Sequence, residues 1–357
     1  INELKKSNKH QVQVCITAQH RQMLDQVLDI FNIQPDYDLN IMQDNQTLTQ
    51  ITYSILNKLD DIYQKIQPDF VLVQGDTTTT FTSALCAFYH KIPVGHIEAG
   101  LRSYDMFAPW PEEMNRKLTS HLTKIHFAPT ENSVENLLKE GVNKKNIFVT
   151  GNTVIDALLH TLSWLNSNEK LLATYKQQFA KLNPDKKLIL VTGHRRESFG
   201  QGFEEICKAL ATIAARKDVE IIYPVHLNPN VSTPVNTYLS QYQNIFLIPP
   251  QDYTTMVYLM SRCYLVLTDS GGIQEEAPSL GKPIIVMRNK TERPEGIIAG
   301  NAKLAGVNAK NIINETEVLL DNVDAYQQMS IKHNPYGDGQ AANRIVGILS
   351  NPSLFKT

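Results

Sequence analysis

The sequence predicts two successive α/β domains, each built on a doubly wound parallel sheet. Three observations carry this. Strand-like and helix-like patterns alternate with few hairpin signals, as parallel βαβ units require. At 357 residues the chain exceeds what one core usually organises. The alternation is also broken once, by a long helical stretch over 152–186, and then resumes.

In the first half, apolar β-rich runs predict strands at Val12–Thr17, Phe70–Gln74, Val94–Ile97, Ile125–Ala128 and Ile147–Thr150. Between them helices are expected at Arg21–Phe31, Leu48–Ile66, Thr79–His90, Glu112–Leu122 and Glu131–Glu140. Residues Lys58–Ile66 place apolar side chains at i, i+3 and i+4, the spacing of a helix packed on a sheet. Thr130 before Glu131 and Ser133 marks a helix start, and Gly141 its stop. In the second half, strands are expected at Leu188–Thr192, Glu220–Val225, Ile245–Ile248, Tyr264–Thr268 and Pro283–Arg288. Helices follow at Gly202–Arg216, Thr254–Arg262 and Gly271–Leu280, and Pro335–Gly339 reads as a turn into a closing helix. The expected domains are 1–150 together with 340–357, and 151–339, as two facing sheets with a ligand cleft between them. The opening INELKKSN reads as the tail of a helix and has no initiator Met, whereas an α/β domain normally begins with a strand. Residues preceding Ile1 are therefore expected.

Composition excludes several classes. The chain is 42% hydrophobic and 20% charged, ordinary for a globular protein. With 34 basic and 36 acidic residues the formal charge is −2, which gives no reason to expect nucleic acid or a membrane surface as partner. No apolar run approaches the ~18 residues of a membrane span. Cys15, Cys86, Cys207 and Cys263 are scattered through apolar runs without a C-x-x-C pair or a histidine at zinc spacing, so buried free thiols in a reducing cytoplasm are expected. There is no G-x-G-x-x-G after a strand and no Walker G-x-x-x-x-G-K-[ST], and no metal or nicotinamide cofactor is expected.

Ligands of open α/β sheets bind beyond the carboxyl ends of strands, and the residues there are unusually polar. They are Gly75–Thr80, His96–Gly100, Gly193–Glu197, His226–Asn228, Asp269–Gly272 and, after the last strand, Arg288 with Arg293. Helix capping explains any one of them but hardly all. In His96–Arg116, Pro109 and Pro111 fix φ on both sides of Trp110 and so hold the carboxylates that follow. Ser270-Gly271-Gly272 lies between a strand and a helix, where backbone amides suit a diphosphate. Glu276, one turn later, could accept both hydroxyls of a ribose. Arg293 could supply fixed positive charge to a leaving nucleotide. The plainer readings are close helix–sheet packing for Gly271 and Gly272, a solvated Glu276 and a surface ion pair for Arg293.

GDTTTT (75–80), VGHIEAGLRS (94–103), PWPEEMNR (109–116), GNTVIDAL (151–158), GHRRES (193–198), DSGGIQEEAPSLGKP (269–283) and TERPEG (291–296) together resemble the non-hydrolysing UDP-N-acetylglucosamine 2-epimerases. The resemblance runs in order from about residue 10 to 345. It implies the two-domain GT-B fold, with Rossmann-like domains and the site in the interdomain cleft. It also implies a cytoplasmic homodimer that supplies UDP-N-acetylmannosamine to cell-surface polysaccharide synthesis. By motif, Asp76, Glu98 and Glu112 are the implied acid/base and charge-stabilising carboxylates. Arg116 and His194 complete the catalytic set, while Gln251, Ser270, Gly271, Gly272, Glu276 and Arg293 would hold UDP. A first-turn charge for Glu112 and a helix N-cap for Asp76 are the plain alternatives. The segment Thr17–Gln22 is similar to part of an activating substrate site, making Gln19 and Gln22 regulatory candidates; ordinary helix-start polarity is the alternative. The family's opening strand and its Gly-x-Arg-Pro-Glu loop are not found, which puts the expected preceding segment at about 20 residues. A GT-B glycosyltransferase, a hydrolysing epimerase and a non-catalytic nucleotide-sugar sensor are the competing readings.

Overall fold

Every strand pair among the described residues is parallel, so each connection must cross over through intervening chain, usually a helix. The computed structural model describes residues 1–351 except 20, 44, 332 and 333, and the side chains except those of Gln22 and Met23. The expected closing segment 340–357 thus extends beyond the described residues. The chain divides into two compact units, Ile1–Asp156 with Tyr336–Thr357, and Ala157–Pro335. These divisions lie a few residues from the expected 150/151 and 339/340. The Asp156 carboxylate accepts the Ala341 and Ala342 N–H groups, and Tyr336 O accepts the Asn152 N–H, so both crossings are tied together inside the first unit.

In the first unit, β1 (Cys15–Ile16) and β2 (Tyr37–Asp38) form a two-stranded sheet, while β3 (Val71–Gln74), β4 (Val94–Ile97), β5 (Ile125–Ala128) and β6 (Ile147–Val149) form a four-stranded sheet in chain order. The helices are α1 (Asn2–Ser7), α2 (Arg21–Ile30), α3 (Leu48–Ile66), α4 (Thr78–Tyr89), α5 (Glu112–Leu122), α6 (Glu131–Lys139) and the start of α7 (Thr153–Ser167). The expected Val12–Thr17 strand shrinks to two residues. Its Val14 N–H is taken by the Asp36 carboxylate at 2.7 Å instead of a neighbouring strand. Helix α3 matches expectation for clear reasons. Thr47 and Gln50 close a capping box at its start, and Ile51, Ile55, Leu59 and Tyr63 repeat every fourth residue on its buried face. That face packs with Ala84, Cys86 and Ala87 of α4 around Val73 and Val94.

The second unit holds β7 (Lys187–Thr192), β8 (Val219–Pro224), β9 (Ile245–Ile248), β10 (Leu265–Thr268), β11 (Ile284–Val286) and β12 (Ala302–Leu304) in the order β12-β11-β10-β7-β8-β9. Alternate residues serve two cores. Ile189, Val191, Ile221, Tyr223, Leu265 and Leu267 face one cluster. Leu188, Leu190, Ile222 and Val266 face the other. This period of two is what a sheet covered on both faces demands. The covering helices are α7, α8 (Glu169–Gln178), α9 (Gln201–Ala214), α10 (Pro229–Leu239), α11 (Tyr253–Arg262), α12 (Gly271–Glu276), α13 (Pro294–Ile298), α14 (Ala309–Asp321) and α15 (Val323–Met329), and α16 (Ala341–Leu349) returns to the first unit. The helix expected over Gly271–Leu280 is α12 followed by a 3-10 turn at Ala277–Leu280. Pro278 has no N–H to continue the α ladder, and Gly281 at φ +66 ends it. Strand order reverses at β7/β10, so the switch point of this sheet lies where Gly193 and Asp269 follow their strands. Among the described residues no helix is long and apolar enough to cross a membrane.

Candidate active site

Three strand-to-helix connections of the first unit bring its polar residues into contact. After β3, Gly75 turns at φ +73, and a Cβ there would stand 3.4 Å from Glu98 Oε2. Thr77, not Asp76, caps α4 by accepting the Thr80 N–H, so the capping alternative for Asp76 fails. The Asp76 carboxylate instead receives Arg116 Nε and Nη2 on one oxygen, Oδ2, at 3.0 and 2.7 Å. Its main-chain O accepts Asn115 Nδ2 at 2.9 Å. Arg116 also donates Nη1 to Glu113 Oε2 at 2.9 Å, and the guanidinium is buried between the two acids. Glu113 is fully buried and accepts the N–H groups of Ser103 and Tyr104 at 3.0 Å each. It fixes the turn that the sequence places before Trp110.

Glu98 follows β4 at φ +67, a left-handed conformation unusual for a residue with a Cβ. Its Oε1 accepts Asn152 Nδ2 at 3.1 Å. His96, on β4, is buried and donates Nε2–H to Gly75 O at 2.7 Å. Burial pushes its pKa down to about 4, so the ring is a neutral latch between β4 and the Asp76 turn. Glu112 lies one turn before Arg116 on α5, and its Oε2 is buried without a hydrogen-bond partner among the described residues. A carboxylate oxygen shielded from water and lacking a donor is suited to take a proton. Gln19 accepts Thr79 Oγ1 at 3.3 Å near the start of α4, whereas the Gln22 side chain lies outside the described residues.

The second unit builds its cluster at the switch point. Asp269, fully buried after β10, accepts the backbone N–H groups of His194 and Arg195 on Oδ2, both at 2.8 Å. Its Oδ1 lies 3.8 Å from His194 Nδ1 and has no hydrogen-bond partner among the described residues. Burial lowers the His194 pKa, with Asp269 opposing and Arg195 and His226 assisting. The rings of His194 and His226 stack at 5.5 Å. Ser270 is the N-cap residue before α12, and Gly271 has a packing reason to lack a side chain, since a Cβ would meet Arg293 Cζ at 3.1 Å. Gly272 faces open space. Close packing therefore explains the missing side chain at Gly271 but not at Gly272.

Arg293 is buried, not a surface ion pair. It donates Nε to Glu275 and Nη1 to Glu292, each at 2.8 Å. Burial alone would raise the Glu292 pKa, but Arg293 and Arg288 outweigh it and hold the group at about 2. Glu276 is buried rather than solvated, and its Oε1 accepts the Tyr253 hydroxyl at 2.8 Å. Burial, helped by the Glu275 charge and opposed by Tyr253, pushes its pKa to about 7. Gln251 sits two residues before Tyr253 and donates to Pro249 O at 2.6 Å. Glu113, Asn115, Asn152, Tyr253 and Asp269 are the supporting residues that sequence reasoning left out of the site. Asp269 and Asn152 carry a signal in their places just after strands.

Two Rossmann-like parallel units, one with a carboxylate–arginine cluster and one with a switch-point cluster, define a protein of the GT-B class. A family model described as UDP-N-acetylglucosamine 2-epimerase matches residues 2–350. The UDP-N-acetylglucosamine 2-epimerase of Salmonella typhimurium is 58% identical over 352 residues, covering 98% of this chain and 94% of the relative. That of Campylobacter jejuni is 55% identical, covering 94% and 89%. Among solved structures, UDP-GlcNAc 2-epimerase from Neisseria meningitidis bound to UDP-GlcNAc superposes with a TM-score of 0.93 at 50% identity, covering 98% and 94%. The Methanocaldococcus jannaschii enzyme in complex with UDP-GlcNAc and UDP gives 0.79 at 34% identity, with the same coverage. The chain belongs to the UDP-N-acetylglucosamine 2-epimerase family.

Proposed function

We propose that the protein interconverts UDP-N-acetylglucosamine and UDP-N-acetylmannosamine by inverting C2 without hydrolysis. The observation that carries this is three carboxylates, Asp76, Glu98 and Glu112, at two successive strand-to-helix connections of one unit, β3 to α4 and β4 to α5, with Glu112 Oε2 buried and unpartnered among the described residues. Such a set suits proton traffic on the sugar itself more than transfer to an acceptor.

C2 of this sugar is not next to a carbonyl, so its proton is barely acidic in the ground state. Elimination solves the problem. The C1–O bond to the β-phosphate breaks and UDP leaves with the electron pair. Positive charge grows on the ring, one carboxylate takes the C2 proton, and C1=C2 closes to give 2-acetamidoglucal. UDP then re-adds at C1 while a second carboxyl returns a proton to the opposite face of C2. The third carboxylate stabilises the cationic ring. Arg116, itself buried, holds the half-buried Asp76 carboxylate in place through two N–H groups on one oxygen. Gln251, Ser270, Gly271, Gly272, Glu276 and Arg293 hold UDP, with His194 at the diphosphate. The paired acids leave Arg293 as an orienting cation of reduced net field. UDP-N-acetylglucosamine and UDP are thus the ligands, the homodimer is the acting form, and Gln19 belongs to an activating site for a second substrate molecule. The product serves cell-surface polysaccharide synthesis.

Product analysis tests the non-hydrolytic course. With UDP-N-acetylglucosamine alone, NMR should show a UDP-linked gluco/manno mixture reached from either side. Accumulation of free N-acetylmannosamine with UDP would assign the protein to the hydrolysing type.

A further inference from the structure

Within the first unit, helices α3 and α4 pack side by side and turn three potential metal ligands towards one point. Cys86 and His90 are four residues apart along α4 and its C-cap, so they lie on the same face one turn apart. Asp60 comes from α3. The Cys86 Sγ, a His90 ring nitrogen and an Asp60 carboxylate oxygen all lie within 4.8 Å of one another. His90 Nε2 already meets Asp60 Oδ1 at 2.7 Å.

Each of the three is steadied by a neighbour. Tyr63 holds the His90 ring edge-on, with centroids 5.9 Å apart. Asp60 Oδ2 accepts Gln64 Nε2 at 2.7 Å. The buried Cys86 thiol is turned to Leu56 O at 4.0 Å, one turn before Asp60 on α3. Outer-shell contacts of this kind orient ligands in metal sites. A histidine–aspartate ion pair needs no thiol beside it; the sulfur is what makes a ligand set.

We propose that Asp60, Cys86 and His90 bind one thiophilic divalent cation of the Zn(II) class, with water in the fourth position. Ligands at Zn(II) distances of about 2.0–2.3 Å stand roughly 3.5 Å apart around a tetrahedron, so side-chain rotations of about an ångström complete the set. The cation replaces the hydrogen between His90 and Asp60 and the proton of the Cys86 thiol. A mixed sulfur, nitrogen and oxygen set selects Zn(II) over Mg(II) or Ca(II). The Asp60 side chain is 51% exposed, which leaves an entry path. The site lies at the end of α4 away from Asp76, and α4 spans 12 residues, about 18 Å. Occupancy therefore pins α3 to α4 without touching the proposed reacting groups.

Co(II) added to the metal-free protein provides the test. One equivalent should generate a thiolate-to-cobalt charge-transfer band that Zn(II) abolishes. Cys86→Ser should lose the band and His90→Asn should lose or strongly weaken it, whereas Cys15→Ser, removing the exposed thiol, should keep it. Both site variants should keep the parent's circular dichroism and its turnover of UDP-N-acetylglucosamine. The absence of a band in the parent overturns the proposal, and so does a band of parental intensity in a folded Cys86→Ser or His90→Asn.

Discussion

Adjacent glutamates on α5 have opposite fates. Glu113 is sealed beneath the Ser103–Tyr104 turn and bound by Arg116, while the Glu112 Oε2 has no partner among the described residues. Glu112→Gln and Glu98→Gln should each lower kcat by about 100-fold or more while UDP still binds; near-parental rates in both would remove the chemistry from these carboxylates. Glu113→Ala should act on stability instead. It strands Arg116 and two backbone N–H groups, and urea unfolding should show a loss of about 3–5 kcal/mol. The split between Glu112 and Glu113 is not legible in sequence. Helical periodicity separates their directions by a hundred degrees but cannot say where the 103–104 turn lies. Glu276 adds a pH signature. With its pKa raised to about 7, lowering the pH from 8 to 6 protonates it and removes the acceptor proposed for the nucleotide, so KM for the UDP-sugar should rise. Glu276→Gln should show a raised KM that no longer varies over this range.

At the scale of elements, β4 and the turn after it are the most constrained part of the first unit. Gly95 admits no side chain because a Cβ would stand 2.7 Å from the Phe70 ring. Gly100 turns at φ +94, and a Cβ there would reach the Ser133 carbonyl oxygen at 2.3 Å. Gly100→Ala should therefore destabilise the protein by more than the ~1–3 kcal/mol of the backbone conformation alone, which thermal denaturation would register. Periodic elements such as α3, closed by its capping box, and α5 are legible to the residue. Helix α10 is not among the expected helices, since Pro229 and the internal Pro234 interrupt a helical pattern; Asn228 caps the helix and Pro229 occupies its first turn. The Cys86–His90 spacing alone carries no metal signal in sequence. Its third partner, Asp60, comes from another helix and is close only after folding.

At the scale of the molecule, the two α/β units are legible from alternation alone, and the polar connections from their places after strands; the roles assigned to single residues rest on the family resemblance. The interior histidines are not legible. His96 and His126 are buried in the first unit with pKa values pushed by burial to about 4 and about 3. Both are neutral in the folded state, whereas the unfolded chain takes up protons below about pH 6.5. Their stabilising contribution is thus present above pH 6.5 and is lost as pH falls towards 4, by an amount on the order of a few kcal/mol. Urea unfolding of the first unit should weaken steadily from pH 7 to 5; an unchanged midpoint would show that the two rings are not held neutral.

In the proposed mechanism the proton at C2 leaves and returns while UDP is detached from C1. Incubation with UDP-N-acetylglucosamine in D2O, without NAD, reads it directly by NMR. Deuterium at C2 of both UDP-linked epimers is the predicted result. Interconversion with protium retained at C2, or no interconversion at all, would contradict the elimination mechanism.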